Sequence, residues 1–110
     1  MVDWKFLEKK ILLKAREMEQ FFLNVKESSV HDADISSAQL GLDSVRNIKK
    51  NLDVYRKSSK NITLKKIHAG FSTLVRGVEG FSDYETELKF RKAGNGIYDL
   101  HKELESHIKW

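Results

Sequence analysis

Apolar residues recur along this chain at steps of three and four, the spacing of one face of a helix. Trp4, Leu7, Ile11, Met18, Phe21 and Val25 make a first stripe, widened by Leu12, Ala15 and Phe22. Asp3 is placed for an N-cap, and Val2 and Leu7 for a hydrophobic staple, so the pattern predicts a helix over about residues 4–27. The polar stretch SSVHDADISS predicts a loop. Ser36 and Gln39 then fit a capping box that opens a second helix. Its stripe is Ile35, Ala38, Leu42, Val45, Ile48, Leu52 and Tyr55, and it is expected to end near Ser58 and Ser59. A third helix, capped by Asn61 or Thr63, carries Leu64, Ile67, Phe71, Leu74, Val75 and Val78 on one face, with Gly77 and Gly80 weakening its end.

Ser82 to Glu85 read as a second capping box. The fourth stripe runs Phe90, Ala93, Ile97, Leu100, Leu104 and Ile108 and keeps its phase across Gly94-Asn95-Gly96. Two glycines so close cost roughly 2 kcal/mol in a helix interior, so the fourth helix is expected to be kinked or interrupted there. Four amphipathic segments joined by short connections predict an all-α fold, an antiparallel up-down four-helix bundle formed as one domain over residues 1–110. With no proline among the 110 residues, nothing forbids long helices.

Composition narrows the chemistry. There is no Cys, which excludes disulfides and thiolate catalysis. The apolar runs are too short for a signal peptide or a membrane span, and the expectation is a cytoplasmic protein. The net charge of +4 is unevenly distributed. Residues 17–43 hold six acids against Lys26, whereas residues 46–66 hold Arg46, Lys49, Lys50, Arg56, Lys57, Lys60, Lys65 and Lys66 against Asp53. That basic face fits an acidic partner, or nucleic acid bound through its phosphates. The two charged stretches can also pair with each other. No base-stacking platform accompanies the cations, because Tyr55 belongs to the apolar stripe.

The four histidines give no metal signature in sequence. His31 shares a polar stretch with Asp32 and Asp34. His101 and Glu105, and Glu103 and His107, are spaced four apart and face different directions, which reads as surface ion pairing. His101, beside Ile97, Leu100 and Leu104, is expected at the core edge. Gly41 to Val45 look like the serine attachment motif of carrier proteins, but Arg46, Lys49 and Lys50 follow where an acidic helix is required. No Arg has a His at the spacing used by helical ribonucleases, and no glycine-rich phosphate loop or nucleophile–base pair is readable. Neither an enzyme nor a bound cofactor or metal is expected. Trp4 opens the chain within a core stripe. Trp110 closes it, either folded back on the helices or exposed as an anchor for a partner.

Gly80-Phe81-Ser82-Asp83-Tyr84-Glu85-Thr86-Glu87-Leu88, followed by Ala93-Gly94-Asn95-Gly96-Ile97-Tyr98, resembles the C-terminal part of immunity proteins for pediocin-like bacteriocins, especially the enterocin A immunity group. The resemblance implies a cytosolic four-helix bundle without catalytic activity. Such proteins protect the producing cell at a membrane sugar-transporter receptor carrying bound bacteriocin. It also implies recognition through the C-terminal half, here Tyr84, Leu88, Tyr98 and the tail toward Trp110.

Overall fold

The apolar stripes become the buried faces of helices in the computed structural model, which describes residues 3–77 and 80–110. Helix α1 spans Trp4–Ser28, α2 Asp32–Ser58 and α3 Asn61–Ser72, the last continuing as a π-helical turn over Thr73–Gly77. Helix α4 spans Tyr84–Ala93 and α5 Ile97–Glu105. No strand is present among the described residues. Val2 and Val78, assigned to a staple and to the third stripe, lie outside the described residues.

Side-chain pairs fix how the helices run. Lys26 bonds Gln39, Lys49 bonds Glu19 and Arg56 bonds Glu8, so α1 and α2 are antiparallel. Asn61 pairs with Lys109, His68 with Glu105 and Ser72 with His101, so α3 and α5 are antiparallel too. Helix α1 meets α4 through Phe21 and Phe90, and the start of α1 meets the C-terminal tail through Trp4 and His107. The result is a body 42 Å long and 21 Å across. Its core joins Leu7, Ile11, Met18 and Phe22 of α1 to Leu42, Val45, Ile48 and Leu52 of α2, to Leu64, Ile67 and Phe71 of α3, and to Ile97, Leu100 and Leu104 of α5. Phe21, Phe22, Phe81 and Phe90 cluster edge-on and stacked at 5.1–6.1 Å, the separations at which aromatic quadrupoles attract. Among the described residues, no helix is long and apolar enough to cross a membrane.

Helix boundaries depart from the sequence reading in three places. Helix α2 starts at Asp32, so the polar connection shrinks to Ser29–His31 and Ser36 lies a full turn inside the helix. Asp32 and Asp34 occupy the first turn, where carboxylates favour the positive end of the helix dipole. Gln39, no longer in a capping box, bonds Lys26 and Asp43. The N-cap of α3 is Lys60, while Asn61 exchanges hydrogen bonds of 2.7 and 2.9 Å with the backbone of Lys109. The N-cap of α4 is Asp83 rather than Ser82, with the Asp83 carboxylate accepting from the amide and hydroxyl of Thr86.

The fourth stripe is interrupted where its glycines stand. Helix α4 stops at Ala93, and Gly96 takes φ +84° as the N-cap of α5. Lys14 reaches over from α1 to donate to the Ala93 carbonyl at 3.0 Å, satisfying one acceptor that the break leaves without a helical partner.

Candidate interaction surface

Helix α4 is held on the body from its N-terminal end. Asp34, 1 % exposed, reaches from the first turn of α2 to accept from the amides of Ser82 at 2.8 Å and Asp83 at 3.4 Å. Glu87 accepts from the Phe81 amide at 3.2 Å. Three carboxylates, Asp34, Asp83 and Glu87, thus take up successive donors where the chain turns into α4. The Ser82 amide bond above all holds the Asp34 carboxyl below the usual carboxylate range, against the opposing effect of its burial. The Thr86 amide does the same for Asp83.

This arrangement leaves α4 without a buried residue. Tyr84, 76 % exposed, and Leu88 project from it one turn apart. Tyr98 stands exposed just after the break, with the Lys102 ammonium 4.9 Å from its ring centre. Trp110 lies at the other end of the molecule, 72 % exposed. Its ring meets His68 edge-on at 5.0 Å and lies 5.8 Å from the Lys65 ammonium. The paired bonds between Asn61 and Lys109 fix the tail that carries it. The four aromatic and apolar side chains assigned to recognition do not form one patch. Tyr84 and Leu88 sit near the start of α2 and Trp110 near its end, roughly 35 Å away at 1.5 Å per helical residue.

The basic residues divide in a similar way. Glu19 of α1 lies 3.8 Å from Arg46 and 3.0 Å from Lys49. Glu8 accepts from Arg56 at 2.8 Å, and Asp53 lies 3.4 Å from the same guanidinium. Those three cations are used to dock α2 on α1. Among the described residues Lys50, Lys57, Lys60 and Lys66 make no ion pair, and Lys65 faces the indole. Of the acidic stretch only Glu19 meets the basic one among the described residues, and Glu8, outside it, supplies the other α1 partner. Free positive charge gathers at the α2–α3 turn, the end that bears Trp110 and the exposed Ile62.

Beneath that indole lies a polar cluster that helical periodicity on one segment does not show. Ring centres of His68 on α3 and His101 on α5 stack at 4.2 Å. The His68 Nε2 donates to Glu105 Oε1 at 3.0 Å, His101 Nδ1 lies 4.0 Å from the same oxygen, and His101 Nε2 lies 3.1 Å from the Ser72 hydroxyl. His101 is 5 % exposed. Burial first, and the neighbouring His68 second, lower its pKa, while the bond from His68 lowers that of Glu105. His101 was readable as a core-edge residue, whereas His68 was not singled out, although it follows Ile67 of the third stripe. Their meeting depends on how α3 and α5 cross. The other pair seen in sequence, Glu103 and His107, behaves differently: Glu103 faces Lys10 at 3.8 Å and His107 packs on Trp4. His31 caps α2 as backbone only, and Asp34 is spent on α4.

A cleft of about 370 Å³ between α1 and α5 is lined by Leu13, Lys14, Glu17, Asn95, Asp99 and Glu103 among others. Lys14 bonds Glu17 at 3.1 Å as well as the Ala93 carbonyl, and Glu103 lies 3.8 Å from Lys10 through one carboxylate oxygen. No family model, curated protein or solved structure matches this chain.

Proposed function

We propose that this chain is a non-enzymatic interaction protein of the bacteriocin-immunity type, an up-down four-helix bundle whose fourth helix is the broken pair α4 and α5. The antiparallel run of each neighbouring pair supports the bundle. The observation that carries the functional reading is Trp110, a large aromatic left 72 % exposed although two hydrogen bonds between the Asn61 side chain and the Lys109 backbone hold the tail that carries it. An indole at the surface with the Lys65 ammonium against its ring has the composition of an interface anchor. Lys65 there, with Lys57, Lys60 and Lys66 around the α2–α3 turn, favours an anionic partner, such as the cytosolic face of a membrane receptor carrying bound bacteriocin. Tyr84, Leu88 and Tyr98 supply a second, α4-borne contact.

Expression in a strain sensitive to pediocin-like peptides tests this. The intact chain is expected to protect, and Trp110→Ala is expected to weaken protection about tenfold while keeping its melting temperature. No protection against any pediocin-like peptide overturns the reading. The lysine-rich end also supports a second reading, binding of nucleic acid through phosphates. Micromolar binding of DNA or RNA with a steep salt dependence, removed by Lys57→Glu with Lys66→Glu, would favour it. The ion pairs that occupy Arg46, Lys49 and Arg56 weigh against it.

A further inference from the structure

We propose that His68, His101 and Glu105 form a binding site for one divalent transition-metal ion, with Zn²⁺ the best match. Two imidazoles and one carboxylate are a donor set that suits borderline metals, and zinc takes three such protein ligands with a fourth position left for water or a partner's side chain. The three residues offer ligand atoms that all lie within 4.8 Å of one another.

The layout has the features of a built site. His101 and Glu105 are four apart on α5, which puts both on one face. Helix α3 crosses that face and brings His68 onto it. Glu105 Oε1 is already shared between the two rings, 3.0 Å from His68 Nε2 and 4.0 Å from His101 Nδ1. Bonds of about 2.0–2.1 Å in tetrahedral geometry require ligand atoms about 3.4 Å apart. The ligand atoms therefore need to approach by about 1.5 Å or less, and the His68 ring, stacked on His101 at 4.2 Å, has to turn out of the stack so that both lone pairs meet one ion. Glu105 is exposed near the end of α5 and His68 is partly exposed, so both can move, whereas His101 is fixed by burial.

Ser72 supplies the outer support. In the tautomer with the proton on Nε2, His101 donates to the Ser72 hydroxyl at 3.1 Å and presents the Nδ1 lone pair toward Glu105. Metal-bound histidines are held in this way by a hydrogen bond on the far nitrogen. Occupation would tie α3 to α5 directly under Trp110, whose ring touches His68.

The test is a Zn²⁺ titration of the chelator-treated full chain by calorimetry, read together with long-range ¹⁵N spectra of the histidines. One ion per chain is expected, with shifts at His68 Nε2 and His101 Nδ1. His101 is buried and its loss endangers the fold, so the variants are His68→Gln and Glu105→Gln, checked by circular dichroism. Each is expected to weaken binding about tenfold or more, and Ser72→Ala about tenfold through misorientation of the ring. Absence of saturable micromolar binding overturns the proposal. So does undiminished affinity in the folded His68→Gln/Glu105→Gln protein, or shifts confined to His31 and His107.

Discussion

Asp34 has more depending on it than any other acidic side chain described. A buried carboxylate that accepts two amides from a loop 48 residues later joins the start of α2 to the start of α4. Asp34→Ala leaves those amides without a partner, and a loss of about 2 kcal/mol in chemical denaturation is expected. Its pH dependence follows from the direction of the shift. The folded pKa lies below the unfolded one, so the stabilisation is complete above the ordinary carboxylate range and is lost as pH falls through the folded value. Denaturation curves from pH 7 down to 3 are expected to show a shallower acid loss in Asp34→Asn than in the parent chain. Two glycines have separate roles at this scale. A Cβ on Gly41 would stand 2.3 Å from the ring of Phe22, which is fully buried and cannot retreat, so Gly41→Ala is expected to cost about 1–3 kcal/mol by overpacking. Gly96 has open space around its Cα, but its φ of +84° strains any other residue, and Gly96→Ala is expected to cost about 1 kcal/mol.

Among the helices, α4 is the one held least by apolar burial. It buries no residue fully, and rests on Phe90 at its inner face, on its three carboxylate contacts and on Lys14 at its far end. Local opening of such an element costs less than opening the core helices. Native-state hydrogen exchange is expected to release the amides of α4 well before those of α1 and α2, and Asp34→Ala is expected to widen that gap. Uniform protection across all helices would contradict it. The positions of the helices were legible in the apolar stripes, and the break at Gly94–Gly96 in the helix cost of its glycines. The caps were not. Ser36 and Ser82 carry the residue types of a cap, but so do their neighbours, and the choice fell to contacts across the molecule. Asp34 stands in the first turn of α2 with its carboxylate on the amides of Ser82 and Asp83, and Asp83 caps α4 through its own carboxylate on Thr86.

Across the whole molecule, the exposed aromatic and apolar side chains proposed for recognition fall at two ends. Tyr84 and Leu88 are presented beside the α1–α2 turn, and Trp110 with its lysines beside the α2–α3 turn. A partner that touches both must cover most of the 42 Å length. Substitution of Trp110 and joint substitution of Tyr84 and Leu88 to alanine are then expected to weaken binding additively, because sites so far apart share no contacts. A double-mutant cycle on the protection assay measures this, and strong coupling would show that the two ends act through one reorganising element. The charge asymmetry of the sequence is taken up internally only in part, by Glu19 on Arg46 and Lys49, with Glu8 of α1 on Arg56 beside it. Ion pairs at such exposed positions add little stability but favour one register of α1 on α2.

What the sequence by itself determined is the helical class, the buried stripes and the interruption of the last one, because each follows from spacing and backbone cost within a few residues of chain. What only the tertiary structure decided is which cations are left free, which carboxylate caps which helix, and that His68 meets His101 and Glu105. The α1–α2 ion pairs, the hold of Asp34 on Ser82 and the contacts of His68 and Ser72 with α5 join residues 29 to 48 positions apart, set by the crossing of packed helices, and no local periodicity encodes them.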